Sequence, residues 1–526
     1  MAMRLKGDIQ LEITDTVSSA VVIDWGEELL DSKARSSLRT GNVYHEIWHM
    51  QKGKAWRGLG LKAFRYVTLT DYPSVLSKER IKGLQVKSDA GGEYSTFTSN
   101  NLNLNKIWNL GKHTYDATES DIITDSITRE RQAYEGDNLI YQQLAYSMSG
   151  DPLPTRNTWN ALIEEPTNYT EYRLMTPIGV LEDYLHTGDK TYVESVYDQL
   201  VALMNVVEYD NAIGLVHATS DTTDLVDWPR SETAGYNFEL TEYKTVINAV
   251  AYKTYLSLSD LARICNHSSD AQQYSDIAQS IKKSMIDRLY DSNSSTFYDG
   301  LDVNGNVIEH HISQNDYFSL WAGVYESQQE ADRIAETITK NDVQEAGSIY
   351  AAYFLYSGLY QSGNGLEATK LLIGNGKRSY ISVLEQLGAT ITPEAWNPQI
   401  KPNMSFSHPW GAGGPAAMSS GLAGVHATEA GWSQAACWVQ IQAGQTVSTQ
   451  TPTARGNVSV KADAHTDHTN LAVAVPSGMR VTINIRITLR NPIVELDGKQ
   501  ETAFELHDGI ISLKVNAGSH RITISV

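Results

Sequence analysis

The stretch LMTPIGVLEDYLHTGDKTYVESVYDQLVALMNVV, from Leu174 to Val207, contains two apolar repeats separated by a polar break. On both sides of the break, apolar residues return every three or four positions, which is the spacing of one buried face of an α-helix. Gly188 in the break is typical of a helix end, and the polar residues after it are typical of a helix start. The stretch therefore predicts a pair of helices, 174–185 and 191–207.

The same spacing fills the centre of the chain, from about Leu102 to Val425. One further helix is predicted by the series Tyr274, Ile277, Ala278, Ile281, Met285 and Leu289. Because a helical hairpin buries its apolar faces against neighbouring hairpins, a long series of hairpins predicts a closed α/α toroid. We therefore expect such a toroid over residues 102–425. Loops between its inner helices would meet around one mouth.

Both flanks of this segment alternate with a period of two, which is typical of β-strands. Residues 1–101 contain the runs Ile9 to Ile13, Ala20 to Ile23 and Phe64 to Leu69, and we expect an antiparallel N-terminal β-sandwich domain there. After His426, the alternating apolar residues are Val481, Ile483, Ile485, Ile487, Leu489, Ile511, Leu513, Val515, Ile522, Ile524 and Val526. They predict a C-terminal β-sandwich domain over 426–526.

Charge and composition limit the classes of partner. The 526 residues carry 62 Asp and Glu against 42 Lys and Arg, for a net charge of −20. This charge repels phosphate backbones and anionic lipids, so we expect neither nucleic-acid nor membrane partners. The chain has 11 Trp and 28 Tyr but only eight Phe, a choice of rings with a polar edge that favours a carbohydrate ligand.

The cysteines and the N-terminal residues give little information about disulfides, metal sites or cellular location. Cys265 and Cys437 lie in different predicted domains, which argues against a disulfide framework, and there is no metal-binding Cys pattern. No apolar stretch of membrane-spanning length is present, and residues 1–11 do not look like a secretory leader. We expect a soluble cytoplasmic or periplasmic protein, as a monomer or homodimer.

The stretch DSITRERQAYEGD, from Asp125 to Asp137, places four carboxylates and two guanidinium groups within thirteen residues. Like charges held close in partial burial move pKa values apart, which lets one carboxyl keep its proton while another stays ionised. This is what a general acid requires. The alternative is a solvated surface loop with ordinary ion pairs.

Two other loops combine acids with indoles. In TPEAWNP, residues 392–398, two prolines exclude a helix and hold Glu394 beside Trp396, as suits a general base. The alternative for Glu394 is a buried helix cap. In DLVDWPRSE, residues 224–232, Asp227 and Trp228 stand next to a proline.

The order Asp125, Glu130, Tyr134 and Asp137 resembles the first catalytic motif of the bacterial α-L-rhamnosidases, glycoside hydrolase family 78. Segments 224–229, 315–321, 394–396 and 407–411 are similar to other segments of that family, so the resemblance extends over essentially the whole chain. It implies that residues 102–425 form an (α/α)6-barrel catalytic domain between the two β domains. It also implies an inverting exo-hydrolase that releases terminal α-L-rhamnose without a metal or other cofactor. Glu130 would be the general acid and Glu394 the base that activates water.

The resemblance also implies a set of substrate-binding residues in the pocket. Acidic side chains would hold sugar hydroxyls, indoles would face the C6 methyl group, and a histidine would bind a hydroxyl at the pocket floor. The residues are Asp125, Arg129, Tyr134, Asp137, Asp227, Trp228, Trp321, Trp396 and His408. The expected partner is a rhamnose-containing oligosaccharide or glycoside.

The chain departs from the family pattern at two places. Ser126 and Ile127 stand where the family usually has Cys-Pro, and Tyr134 followed by Glu135 stands in place of Trp. With Arg230, the extra charge of Glu135 leaves open an inverting hydrolase of the same fold that acts on another glycan, such as one containing uronic acid. A carbohydrate-binding protein that has lost catalysis is the third hypothesis.

Overall fold

The computed structural model describes residues 3–13, 18–73, 75–87, 94–233, 235–340, 347–487 and 491–525. Leu489 and Val526 of the predicted alternating series lie outside these ranges. The helices of the central segment are α1 (Leu102–Thr118), α2 (Glu135–Met148), α3 (Leu153–Glu164), α4 (Thr170–Thr187), α5 (Lys190–Ala202), α6 (Thr245–Ile264), α7 (Ser268–Leu289), α8 (Ser313–Ala322), α9 (Gln328–Lys340), α10 (Ala352–Gln361), α11 (Gly365–Leu372), α12 (Tyr380–Glu385) and α13 (Gly413–Gly421).

Six of these helices form a closed inner ring. Helices α2, α4, α6, α8, α10 and α13 each contact the next, and α13 returns to α2. Helices α1, α3, α5, α7, α9 and α11 pack outside the ring, each against an inner helix. This arrangement confirms the predicted (α/α)6 toroid.

Ten strands precede α1 in the described ranges: β1 (Leu5–Glu12), β2 (Ser18–Gly26), β3 (Leu29–Leu30), β4 (Lys33–Ala34), β5 (His45–Gln51), β6 (Ala55–Arg57), β7 (Lys62–Phe64), β8 (Tyr66–Thr70), β9 (Ile81–Gln85) and β10 (Thr96–Ser99). Strand β1 pairs with β6, β7 and β9, and β2 pairs with β5 and β8, all antiparallel. Ile9, Val21 and Trp25 belong to a separate hydrophobic core here. The N-terminal antiparallel β region is thus confirmed.

Short strands connect several helices: β11 (Val207–Asp210), β12 (Leu215–Ala218), β13 (Tyr243–Lys244), β14 (Tyr290–Asp291), β15 (Thr296–Phe297), β16 (Gly300–Leu301) and β17 (Val307–Ile308). The predicted helix pair is present as α4 and α5. Gly188 adopts a φ of 74° at the end of α4, and the Asp189 carboxylate accepts a hydrogen bond from the backbone N–H of Tyr192 at 3.1 Å at the start of α5. Helix α5 ends at Ala202, earlier than predicted, because Val207 pairs with Ala218 in a hairpin.

The C-terminal strands are β18 (Val425–Ala427), β19 (Gln434–Val439), β20 (Thr446–Thr453), β21 (Gly456–Ala464), β22 (His468–Val475), β23 (Arg480–Arg486), β24 (Ile493–Leu496), β25 (Lys499–Glu501), β26 (Phe504–His507), β27 (Ile510–Val515) and β28 (Gly518–Ser525). They form two sheets, and the alternating residues of β23, β27 and β28 point into the core. Strand β10 pairs with β20 and so joins this second β region. The domain limits themselves stay predictions.

Candidate active site

A cavity of about 310 Å³ opens where the loops lead into the inner helices α2, α4 and α13. Carboxylates, cations and aromatic rings share its wall. The lining residues are Asp125, Arg129, Glu130, Tyr134, Asp137, Tyr169, Tyr172, Leu225, Trp228, Glu394, Lys401, Asn403, His408 and Trp410. The first and second predicted catalytic loops therefore meet in one cavity, although 264 positions of the sequence separate Glu130 from Glu394.

The guanidinium group of Arg129 bridges the two predicted catalytic carboxylates. Its Nη2 lies 2.7 Å from Oε1 of Glu394, and its Nε lies 3.1 Å from Oε1 of Glu130. Because one guanidinium spans the gap, these two carboxylate oxygens are separated by at most about 8 Å. The side chain of Glu394 is 2% exposed and that of Glu130 is 43% exposed, so one carboxylate is buried and the other faces the mouth.

Glu394 is held from several sides. Its Oε2 accepts a hydrogen bond from the backbone N–H of Ser405 at 2.7 Å, and Nζ of Lys401 lies 3.4 Å from its Oε1. Its own backbone N–H donates to the Ser405 carbonyl at 2.9 Å, and Nε1 of Trp410 donates to its carbonyl at 3.1 Å. These contacts fix the carboxylate in an orientation set by the loop, as a general base requires.

Glu130 has a different environment at the mouth. The hydroxyl of Tyr134 donates a hydrogen bond to its Oε2 at 2.8 Å. Burial and the Glu130 carboxylate raise the pKa of Tyr134, so the phenol keeps its proton at neutral pH. The ring of Tyr134 packs near Tyr169, with 6.5 Å between centroids. The substitution of Tyr for Trp in the motif therefore supplies a donor to the predicted acid as well as an aromatic face.

The floor of the cavity contains buried polar atoms without a hydrogen-bond partner among the described residues: Oδ2 of Asp125, Oδ1 of Asp137 and Nδ1 of His408. Oδ1 of Asp137 and Nδ1 of His408 lie 3.6 Å apart. Leaving buried polar groups unpaired costs free energy, which a ligand with several hydroxyl groups would recover. The floor is thus arranged to bind a polyol.

Burial also sets the protonation of this floor. It raises the pKa of Asp125 to about 6, and burial together with the charges of Asp125 and Glu394 raises the pKa of Asp137 well above its usual range. Burial and the charges of Arg129 and Lys401 lower the pKa of His408, whose ring is neutral as a result. The raised pKa of Asp137 favours its protonated form, in which the carboxyl group can donate a hydrogen bond.

The raised pKa of Asp125 predicts a pH-dependent stability. Between the pKa of the unfolded chain, about 4, and the folded value of about 6, the folded protein binds more protons, so stability falls as pH rises through this window. Asp125→Asn should remove this loss and raise the thermal midpoint at pH 7.5 relative to the parent, but not at pH 4. Thermal unfolding at both pH values measures the difference. An equal shift of the midpoint at both pH values would contradict the assignment.

Eight of the predicted site residues line the cavity: Asp125, Arg129, Glu130, Tyr134, Asp137, Trp228, Glu394 and His408. Asp227, Trp321 and Trp396 do not, and their predicted role as sugar contacts is corrected here. Asp227 is buried and accepts hydrogen bonds from Ser348 and Gln314. Nε1 of Trp396 donates to the carbonyl of Gly347 at 3.1 Å.

Trp321 is part of the helical core. It lies in α8, is 2% exposed, and meets the ring of Phe354 edge-on with 4.9 Å between centroids. The extra charges that suggested an acidic substrate also lie outside the cavity. The buried carboxylate of Glu135 accepts hydrogen bonds from Thr167, and Arg230 lies over the ring of Phe238.

Some cavity residues were not predicted: Tyr169, Tyr172, Leu225, Lys401, Asn403 and Trp410. Lys401 and Asn403 follow Glu394 in the same loop, and Trp410 follows His408 by two positions, so closeness in sequence to a predicted residue was the available signal. Tyr169 and Tyr172 stand at the start of α4, in a segment that the sequence analysis did not single out.

Residues 159–417 match the family model of the bacterial alpha-L-rhamnosidase 6 hairpin glycosidase domain. No protein of curated function matches the chain in sequence. No helix in the described part of the chain is long and apolar enough to cross a membrane.

Solved structures show a similar fold. An alpha-L-rhamnosidase of Streptomyces avermitilis, complexed with L-rhamnose, aligns with a TM-score of 0.80 and 17% identity over 99% of this chain and 51% of its own. An alpha-L-rhamnosidase from Dictyoglumus thermophilum aligns with a TM-score of 0.78 and 16% identity over 100% of this chain and 61% of its own. A GH78 family rhamnosidase of Bacillus sp. GL1 aligns with a TM-score of 0.72 and 16% identity over 92% of this chain and 52% of its own. The chain thus spans between half and two thirds of the length of these proteins.

Proposed function

We propose that this chain is a glycoside hydrolase that releases terminal α-L-rhamnose with inversion of configuration. The match of residues 159–417 to the family model of the bacterial alpha-L-rhamnosidase 6 hairpin glycosidase domain supports this proposal. The observation that carries the proposal is the pair of carboxylates bridged by Arg129 in one cavity. A hydrolase of this kind needs one carboxyl group on each side of the scissile bond. Glu130 and Glu394 come from loops far apart in sequence and supply such a pair.

The different positions of the two carboxyl groups in the cavity assign one as the general acid and the other as the general base. Glu130 is half-exposed at the mouth, where the leaving group departs, and donates a proton to the glycosidic oxygen. Glu394 is buried and fixed by its loop, and accepts a proton from the water that attacks the anomeric carbon. Water attacks the anomeric carbon directly, so no covalent intermediate forms, and the products are L-rhamnose and the aglycone alcohol. Glu394 then loses its proton to solvent and Glu130 regains one, which restores both groups.

The separation of the two carboxyl groups bears on whether the configuration is inverted or retained. A separation of roughly 6.5 to 9.5 Å leaves room for the attacking water, whereas about 5 to 5.5 Å places a nucleophile against the sugar. The upper limit of about 8 Å set by the Arg129 bridge includes both ranges, so the proposal of inversion rests on the similarity to the family and not on this distance. The unpaired floor atoms of Asp125, Asp137 and His408 would then bind the sugar hydroxyls.

The test is the anomer of the first product. The protein is incubated with 4-nitrophenyl α-L-rhamnopyranoside, and proton NMR follows the anomeric signal before mutarotation. We expect β-L-rhamnose first. Initial α-L-rhamnose would establish retention and contradict the assignment of Glu394 as a base.

A matched panel of aryl glycosides, including uronides, tests the substrate class. We expect turnover of the rhamnoside and none of the uronides, because the charges of Glu135 and Arg230 lie outside the cavity. Turnover of a uronide instead would favour the alternative that the chain is an inverting hydrolase of the same fold that acts on a uronic-acid-containing glycan. Binding of rhamnose in calorimetry without turnover of any substrate would favour a binding protein.

A further inference from the structure

The loop that holds Glu394 is itself held by a carboxylate of the N-terminal strands. Glu27 directly follows β2, is 3% exposed, and reaches the segment 405–407. The hydroxyl of Ser407 donates to Oε1 of Glu27 at 2.6 Å, and the backbone N–H of Phe406 lies 3.4 Å from its Oε2. One buried carboxylate thus binds two consecutive residues of the loop.

The residue before these two contacts the predicted base. The backbone N–H of Ser405 donates to Oε2 of Glu394 at 2.7 Å, and the carbonyl of Ser405 accepts from the backbone N–H of Glu394 at 2.9 Å. Phe406 also packs with Ala395 and Met404 in a small buried cluster beside Glu394. A displacement of 406–407 would therefore be passed directly to the carboxylate of Glu394.

Glu27 is supported on its other side by Arg4. The guanidinium of Arg4 is buried, lies over the ring of Phe406 at 4.9 Å from its centroid, and donates to the carbonyl of Glu27 at 3.4 Å. Burial raises the pKa of Glu27, and the charge of Arg4 opposes this effect. Burying a carboxylate costs free energy unless it is paired and hydrogen-bonded. The hydrogen bonds from Phe406 and Ser407 offset part of this cost for Glu27.

We propose that Glu27 is a positioning residue for Glu394, acting through the hydrogen bonds to Phe406 and Ser407. The inference rests on the proposed function, because it assigns Glu394 the role of base. It makes the N-terminal strands a part of the catalytic apparatus rather than an attached domain. A base that is displaced by a fraction of an ångström loses rate more than affinity, since substrate binding rests on other groups.

The experiment compares Glu27→Gln with a matched variant. Gln keeps the shape of the side chain but replaces two charged acceptor oxygens with one neutral oxygen and an NH2 group. The Ser407 hydroxyl must then turn to accept from the amide nitrogen, and the loop is held by weaker, neutral hydrogen bonds. We expect kcat on the aryl rhamnoside to fall about tenfold or more with KM changed by less than about threefold. Ser407→Ala should lower kcat in the same way, and the double variant should be no worse than Glu27→Gln alone.

Asp8→Asn is the control. Asp8 is also a buried carboxylate of the N-terminal strands, but its partner is Lys62, at 2.7 Å, within the same sheet. We expect this variant to lower the thermal midpoint and leave kcat unchanged at a temperature where both proteins are folded. Equal kcat values in Glu27→Gln and Asp8→Asn would overturn the proposal.

Hydrogen exchange separates this inference from the proposed function. The amides of 404–408 should exchange faster in Glu27→Gln than in the parent or in Asp8→Asn. If the parent protein does not hydrolyse rhamnosides but the exchange difference is found, Glu27 still positions the loop and only the assigned chemistry fails. Unchanged exchange in Glu27→Gln would overturn the positioning role whatever the activity.

Discussion

Glu394→Gln should lower kcat on aryl and disaccharide α-L-rhamnosides alike, by about 10²–10⁴-fold. An amide cannot accept the proton of the attacking water, and that step is required whatever the leaving group. KM should change little, because the proposal assigns the sugar hydroxyls to the unpaired floor atoms of Asp125, Asp137 and His408. Steady-state rates on both classes of substrate measure the effect.

The same substitution should cost stability, and this loss needs a control. The charge of Glu394 compensates Arg129 and Lys401, and breaking a buried ion pair costs about 3 to 5 kcal/mol. Glu232→Gln is the matched variant, because Glu232 is a buried carboxylate paired with Arg378 at 3.2 Å outside the cavity. It should lose stability but keep kcat. A Glu394→Gln variant as active as Glu232→Gln would show that Glu394 is not the base.

The fold could be predicted because its elements follow local periodicity. The series from Tyr274 to Leu289 carries one apolar face, and the structure has helix α7 there. The end of α5 could not be predicted in the same way. Val206 and Val207 continue the helical spacing, but Val207 pairs with Ala218 in a β-hairpin instead. The local sequence pattern around Val207 does not reveal this partner.

The site was predicted best where charge and aromatic residues were crowded. The loops containing Glu130 and Glu394 were found because unusual residues stand together in each. Trp321 was misassigned because an indole in a helix has the same sequence signature whether it faces a cavity or the core. Its neighbours in space, such as Phe354 on α10, decide the matter.

Glu27 and Lys401 are residues of the site region that could not be predicted from the sequence. Neither stands in a stretch that the sequence analysis singled out, and each becomes significant only because the fold buries it against the Glu394 loop. Burial of a charge is a tertiary property, and a sequence alone gives no measure of it. Residues that support a catalytic group are therefore harder to predict than the group itself.

Glu130→Gln should produce a loss that depends on the leaving group. A general acid protonates the departing oxygen, and this help matters most for a sugar or alkyl aglycone, whose alkoxide is a poor leaving group. We expect kcat/KM to fall by about 10²–10⁴-fold on a rhamnosyl disaccharide. The fall should be far smaller on 2,4-dinitrophenyl α-L-rhamnoside, whose phenolate leaves without a proton. Rates on the two substrates, measured for parent and variant, give the comparison.

Tyr134→Phe is the matched control for this prediction. It removes the hydroxyl that donates to Oε2 of Glu130 at 2.8 Å but keeps the carboxyl group and the aromatic face. Its effect should therefore be smaller than that of Glu130→Gln on the disaccharide. If Glu130→Gln slowed both substrates equally, the carboxyl group would act in binding or in a step common to both. The proton donor would then have to be sought among the other cavity carboxyls, beginning with Asp137, because burial and the neighbouring charges raise its pKa.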